Sequence, residues 1–475
     1  MISSDQLGFS TTVSPSAPLD STVNHSSVDI GPNRALLDYY RCPDDLVDLR
    51  RSEDTRSNSG YFRLGAEIIC YGHCASASKE AIERGALPDV LPKVKVRDSA
   101  VYLPFDPAEV IDNLRLERYV EPRSEKKLLA KLAHNAYYSV RPWLGASLRR
   151  RLQRLALRRW QGNIFPEWPV DRSVDRLFEK LLALSMDAQR VNKIPFIWFW
   201  PKGYSGCAVM THDVETKTGL DFCSQLMAID DLHGIKASYQ LVPEKRYAIP
   251  GAMLQAIRED RCEVNIHDLN HDGQLFRDRE QFLRRATRIN EHASNYSAKG
   301  FRSGALYRNS DWYGALSQFS YDMSIPNVAH LDPQRGGCCT AMPFFIGDML
   351  ELPLTTTQDY SLFHILRDYS IDLWQQQVSL IMDNHGFISF NIHPDYVIES
   401  RARAVYISLL QYLSQLRNER KLWMPLPGEV ATWWRERSRM KLVHQNGSWQ
   451  IEGSGKERAR IAYACLTDGA ITIAR

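Results

Sequence analysis

No stretch of this 475-residue chain approaches the roughly 20 consecutive apolar residues that span a bilayer. Its N-terminus, MISSDQLGFSTTVSPSAPLDSTVNHSS, lacks a basic start followed by an apolar run, so no secretory signal is read there. Bulk charge is lacking too. A net charge of +3 gives no reason to expect a nucleic acid as partner. The nine cysteines are odd in number and scattered, with Cys338 and Cys339 adjacent, which is no disulfide framework. Together these absences point to a reducing, cytoplasmic setting.

What is present is ordinary globular material: 44% hydrophobic and 24% charged residues, in a chain long enough for two or three domains. Residues 1–30, rich in Ser, Thr, Asp and Pro, are expected to be a disordered tail. Residues 31–120 read as a small mixed α/β module. Within it, Cys70, His73 and Cys74 form the cluster CYGHC. No second ligand pair lies nearby, so a structural role is preferred to zinc.

Residues 121–195 read as a basic helical connector. Leu148, Leu152, Leu155 and Trp160 keep helical spacing among Arg149, Arg150, Arg151, Arg154, Arg158 and Arg159. Two readings stay open. One is a solvated helix packed on its apolar stripe; the other is an interfacial helix that touches an anionic membrane or polymer. The second would place the protein at the inner face of a membrane. Pro142 breaks any single helix through the region.

From 196 to 437 short apolar strands alternate with helical segments. Strands are expected at CAVMTHDVE, Ala237–Val242, CEVNIH, Gly300–Arg302, Tyr321–Ser324, Asp348–Leu354 and Gly386–His393. Helices are expected over 220–232, 250–260, 278–298, 311–319 and 370–384. This alternation argues for parallel strands with crossover helices, and about 240 residues suit one (β/α) barrel. Residues 438–475 turn β-like. Asn446-Gly447 between alternating residues is a hairpin signal, and the segment reads as a small C-terminal β appendage.

Polar groups gather at the strand ends. His212, Asp213 and Glu215 follow one strand, and His267 and His271 follow the next but one. Arg302, Asp322 with Ser324, and His393 follow later strands. In an α/β barrel such ends converge on one mouth. Two histidines and a carboxylate suit a divalent ion such as zinc, with open positions for water. A second carboxylate and a histidine across the site would complete a set for hydrolysing an amide or ester. Taken singly, HxxxH is more often accidental, and an Asp after a strand is often only a helix cap.

These residues resemble the five ordered motifs of the polysaccharide deacetylase family, also called NodB-like or carbohydrate esterase family 4, over about 205–435. The segments are Thr211–Glu215, His267–His271, Gly300–Ser303, Asp322–Ser324 and Asn391–His393. The resemblance implies a distorted (β/α) barrel and a metal-dependent hydrolase that removes an acyl group, usually N-acetyl, from a carbohydrate or glycan precursor. It assigns Asp213 as general base, His267 and His271 as metal ligands, and Arg302 as the partner that keeps the base ionised. Asp322 would orient His393, the general acid.

The departures are specific. Val214 stands where the family has a metal-binding aspartate. Glu215 is one residue further and, in an extended segment, points to the same side as Asp213. Glu215 as ligand with Asp213 as base is therefore favoured; the reverse assignment stays open. Asp268 replaces a Ser or Thr, and Ser303 replaces a proline. His212, in place of an aromatic residue, is taken as structural. Hydrolysis of a non-sugar amide, or a binding protein that keeps the barrel without the chemistry, are the competing readings.

Overall fold

The computed structural model describes residues 31, 33–52, 58–78, 87–120, 146–157 and 160–475. The expected tail over 1–30 and the basic segment from 121 to 145 lie outside them.

The fold is mixed α/β, built around a nine-stranded sheet. Its strands are β1 (Gly206–Val214), β2 (Ala237–Leu241), β3 (Glu263–His267), β4 (Gly300–Arg302), β5 (Tyr321–Asp322), β6 (Phe344–Ile346), β7 (Met349–Glu351), β8 (Phe387–Ile392) and β9 (Leu422–Trp423). They lie in the order β6-β7-β5-β4-β3-β2-β1-β8, with β9 beside the start of β1. Every pairing is parallel except that of β6 with β7. Helices Lys217–Leu232, Gly251–Glu259, Arg279–Asn295, Asp372–Met382 and Ser400–Glu419 make the crossovers. Three of them start on side-chain caps: Thr216 Oγ1 accepts from Gly219 N, Asp278 from Gln281 N, and Glu399 from Arg401 N and Ala402 N. The helix expected over 311–319 is instead a short 3-10 segment, Ser310–Ala315.

A closed barrel is not formed, and the sheet is a curled half-barrel. No backbone ladder joins β7 to β8. Hydroxyls span the gap: Thr355 Oγ1 donates to Phe387 O at 2.9 Å and accepts from Ser389 N at 2.9 Å, and Thr356 Oγ1 donates to Ser389 O at 2.8 Å. The chain after β7 therefore runs beside β8 without joining its ladder.

Period-two alternation sorts β1 into two faces. Met210, His212 and Val214 face the crossover helices. Met210 and Val214 join an apolar layer with Leu220, Leu226, Tyr406 and Leu409. His212 bonds Asp230 there, at 3.0 Å. Thr211 and Asp213 face the concave side and meet Arg302 of β4. Toward the strand ends that side is polar, with Ser238, Gln240, Asn265, His267 and Asn391 all buried, while Cys207 and Val209 at the start of β1 join an apolar core.

The N-terminal module holds a hairpin, Asn58–Arg63 with Ile69–Cys74, and a three-stranded sheet of Leu49–Arg51, Ala100–Leu103 and Lys95–Arg97. It does not stand apart. One continuous core contains its Leu36, Phe62 and Val101, Leu177 of helix Ser173–Ala188, and Trp198 and Trp433. Arg437 pins this junction: buried among backbone carbonyls, it donates to the oxygens of Tyr39, Tyr40, Ile197 and Trp198. Cys70 and Cys74 are buried and unbridged, and His73 pairs with Glu109.

The hairpin at Asn446-Gly447 is present, with both residues at positive φ. The following strand, Ile461–Thr467, pairs antiparallel with Lys193–Ile197, so this sheet crosses both boundaries drawn from the sequence at 196 and 438.

Candidate active site

Strand β3 ends on His267, and the turn that follows carries His271. Asp268 and His271 both adopt positive φ, which bends the chain back on itself. Asp268 caps its own turn: Oδ1 accepts from Leu269 N at 2.6 Å, and its amide donates to Arg302 O at 2.8 Å. Gly304 must stay small here, because a Cβ would lie 2.5 Å from Asp268 Oδ2 and 3.1 Å from His271 Cδ2.

The two imidazoles and Glu215 converge. Glu215 Oε1 lies 2.8 Å from His271 Nε2, 3.5 Å from His267 Nε2 and 3.4 Å from His393 Nε2. Ligand atoms of Glu215, His267 and His271 all fall within 4.8 Å of one another. His267 donates from Nδ1 to Arg302 O at 3.2 Å, which turns Nε2 toward Asp213 and Glu215, 3.7 and 3.5 Å away. The Nε2 atoms of His267 and His271 are buried without a well-aligned hydrogen-bond partner. Two orphaned imidazole nitrogens beside a carboxylate fit a divalent ion. Arg246 Nη2 lies 3.3 Å from His271 Nδ1 and donates to His271 O at 2.5 Å. An ion on Nε2 would put the ring proton on Nδ1 and leave Arg246 with the carbonyl.

Asp213 is held differently. Oδ1 accepts from Arg302 Nη1 and Oδ2 from Asn391 Nδ2, both at 2.8 Å. Arg302 also donates to Thr211 Oγ1 and Met323 O. Burial would raise the Asp213 carboxyl, but Arg302, with His267 and His393, outweighs it and holds the group at about 2. Burial likewise opposes ionisation of Glu215, and His271, His267 and His393 bring it well below the usual range.

His393 ends β8. Asp359 grips it twice: Oδ1 lies 2.6 Å from Nδ1, and Oδ2 accepts the His393 amide at 2.7 Å. Burial would lower this imidazole, yet Asp359 and Glu215 raise it well above its ordinary value, so it carries a proton at neutral pH.

Asp322 does not have its expected place. It does not orient His393. It accepts from Ser324 Oγ at 2.7 Å and Ser324 N at 3.2 Å, beside Glu351. Burial and the neighbouring carboxylate push Glu351 well up, so the pair holds a proton. The physical reason is topological: β5 is two residues long and four strands lie between it and β8, whereas Asp359 sits on the chain that crosses the gap to β8. A polar run, Thr355–Asp359, after the apolar β7 was the one signal for it.

Sequence reasoning also missed the clamp of Asn391 on Asp213 and the position of Asp395. Burial pushes Asp395 up to about 6, and it faces His393 and Glu215. His212 bonds Asp230, which also accepts from Tyr406, so it belongs to the helix-facing layer. Of the aromatic residues near the motifs, Trp312 packs on Phe276 and Phe282, while Tyr360 lies tilted against Tyr396 beside His393. Two surface cavities, of 470 and 720 Å³, contain none of the converging ligands in their linings.

No family model matches the chain, and no curated protein matches it. Solved structures of polysaccharide deacetylases and family 4 carbohydrate esterases are similar to it over about half its length. A Mycobacterium smegmatis protein whose name places it among the polysaccharide deacetylases is 17% identical, with a TM-score of 0.39, covering 50% of this chain and 92% of that one. An allantoinase is 10% identical, with a TM-score of 0.38 and the same coverage of 50% and 92%. A Bacillus anthracis protein described as a family 4 pseudoenzyme is 13% identical, with a TM-score of 0.31, covering 48% and 66%. Proteins so differently named, at such low identity, assign no activity to this chain.

Proposed function

We propose that the chain is a divergent polysaccharide deacetylase: a metal-dependent hydrolase that removes an acyl group, N-acetyl first among them, from a carbohydrate. One observation carries the reading. Two buried imidazole nitrogens and the Glu215 carboxylate converge between a carboxylate paired with Arg302 and an imidazole paired with Asp359.

Glu215, His267 and His271 would hold the ion, zinc being the natural choice for a two-histidine, one-carboxylate set. The ion, when bound, supplies a Lewis acid and lowers the pKa of its water. Asp213 takes a proton from the attacking water through its carboxylate. Arg302 and Asn391 fix the angle of that carboxylate and keep it charged. His393 gives its Nε2 proton to the departing nitrogen. Asp359 holds the imidazole in the orientation and charge state that this step needs.

The test is elemental analysis of purified protein, with acetate release from N-acetylglucosamine oligomers. About one divalent ion per chain, lost in His267→Ala/His271→Ala together with acetate release, supports the reading. Val214 favours a second reading, a binding protein without chemistry. A chain that binds N-acetylated oligomers but releases no acetate when loaded with zinc, cobalt or nickel would establish that alternative.

A further inference from the structure

Helix Ala146–Leu157 turns an apolar stripe outward. Leu148, Leu152 and Leu155 are 48%, 40% and 54% exposed. Their spacing of four and three places them on one face. A helix packed on a core would hide that face. Ile164, just beyond, is 59% exposed.

The surrounding sequence is cationic without exception. Between Glu125 and Glu167 there are three lysines and seven arginines and no acid. Those ten are drawn from the chain's 59 basic residues, so the remaining 49 face 56 acids and the rest of the chain carries −7. Charge of one sign is thus concentrated in the sequence that carries the exposed leucines.

The helix is also anchored at the active site. Tyr360 donates its hydroxyl to Gln153, and the helix packs on the turn Ser361–Leu366. The Tyr360 amide donates to Asp359, the carboxylate that grips His393. The rings of Tyr360 and His393 both lie against Tyr396, tilted, with centroids 5.8 and 4.8 Å away. The helix that carries the outward leucines therefore packs beside the residues that hold the acid histidine.

We propose that helix Ala146–Leu157 docks in the plane of an anionic phospholipid bilayer and so presents the active site to a glycan anchored in that bilayer. The docking half stands alone; the substrate half rests on the deacetylase reading. Leucines facing outward suit hydrocarbon, and a basic sequence with the exposed Arg151 among them suits phosphate; a headgroup boundary offers both. A soluble polyanion offers nothing to the leucines. Contact would be in-plane, since among the described residues no helix is long and apolar enough to cross a membrane.

The test is flotation of the full chain with vesicles of phosphatidylglycerol and phosphatidylcholine at low salt. Binding is expected to fall at least about tenfold on pure phosphatidylcholine, and as much in Leu148→Ser/Leu152→Ser/Leu155→Ser. Failure to float with anionic vesicles, or equal flotation of the triple variant, overturns the proposal. So does a wild-type oligomer that the triple variant disperses, which makes the stripe a self-association face. A lower melting temperature of the triple variant without lipid also overturns it, because the chain itself would then cover the stripe. His267→Ala/His271→Ala should float like wild type, so loss of the metal reading leaves docking untouched. The substrate half expects the triple variant to lose at least about tenfold in acetate release from a lipid-anchored N-acetyl glycan in anionic vesicles, with soluble oligomers cleaved as before. Equal loss on both substrates refutes that half.

Discussion

Glu215 Oε1 lies 2.8 Å from His271 Nε2, while Val214, one residue earlier, is fully buried on the opposite face of the same strand. On the reading proposed above, Glu215 would stand in for the carboxylate that the resembled family places at 214. Val214→Asp should not improve the site. It would put a charge among Leu220, Leu226 and Leu409 with no partner. The expected cost is about 3–5 kcal/mol by urea unfolding. Glu215→Ala should keep the fold and lose bound metal by elemental analysis. A Val214→Asp chain that is stable and binds metal more tightly would overturn the assignment.

Asp359 and Asp322 make opposite predictions. Asp359→Asn removes the charge that keeps His393 protonated and oriented, so kcat should fall about 100-fold or more with metal content unchanged. Asp322→Asn touches Ser324 and Glu351 instead. It should alter stability and leave the pH dependence of kcat where it was. Steady-state kinetics across pH on both variants decides between the two carboxylates.

Arg302 is wholly buried and pairs with Asp213 at 2.8 Å. Arg302→Met leaves Asp213 charged and buried, with Asn391 as its hydrogen-bond donor and the more distant His267 and His393 in place of its direct cation. The expected loss is about 3–5 kcal/mol, since removing one member of a buried pair strands the other. Adding Asp213→Asn should recover part of that stability and none of the activity. A double-mutant cycle by urea unfolding measures the coupling. Coupling near zero would mean Arg302 acts through Thr211 and Met323 instead.

Much of this site was legible because chemistry and periodicity coincide at strand ends. His267 and Arg302 close strands, His393 directly follows one and His271 lies in the turn after β3, and alternation alone puts Asp213 on the concave side and Val214 away from it. Asp359 was not legible for a physical reason. It lies where the sheet fails to close, on a chain held to β8 by threonine hydroxyls, and such a segment has no hydrophobic period to read. Asp322 was misread because Asp-x-Ser fits a short motif while its side chain folds back on its own turn. Leu148, Leu152 and Leu155 gave the helix from spacing, but spacing cannot say which way a stripe faces. The sheet shared by Lys193–Ile197 and Ile461–Thr467 was hidden because its partners are more than 250 residues apart in sequence.

Glu263, at the start of β3, accepts from Tyr321 Oη at 2.8 Å and from Gly428 N at 3.2 Å. Burial pushes it from an ordinary 4.5 up to about 7. Between those values the folded chain keeps a proton that the unfolded chain releases. Stability from this group is therefore complete below about pH 4.5 and is lost as pH rises toward 7. The loss is at most about 3 kcal/mol, because the side chain is only partly shielded from solvent. Asp332 and Asp395, each pushed to about 6 by burial, add slopes of the same sign, so the difference between wild type and variant is the quantity to read. Glu263→Gln should be more stable than wild type at pH 8 and close to it at pH 5, measured by urea unfolding at both values. Parallel curves for the two proteins would show that Glu263 stays ionised in the fold.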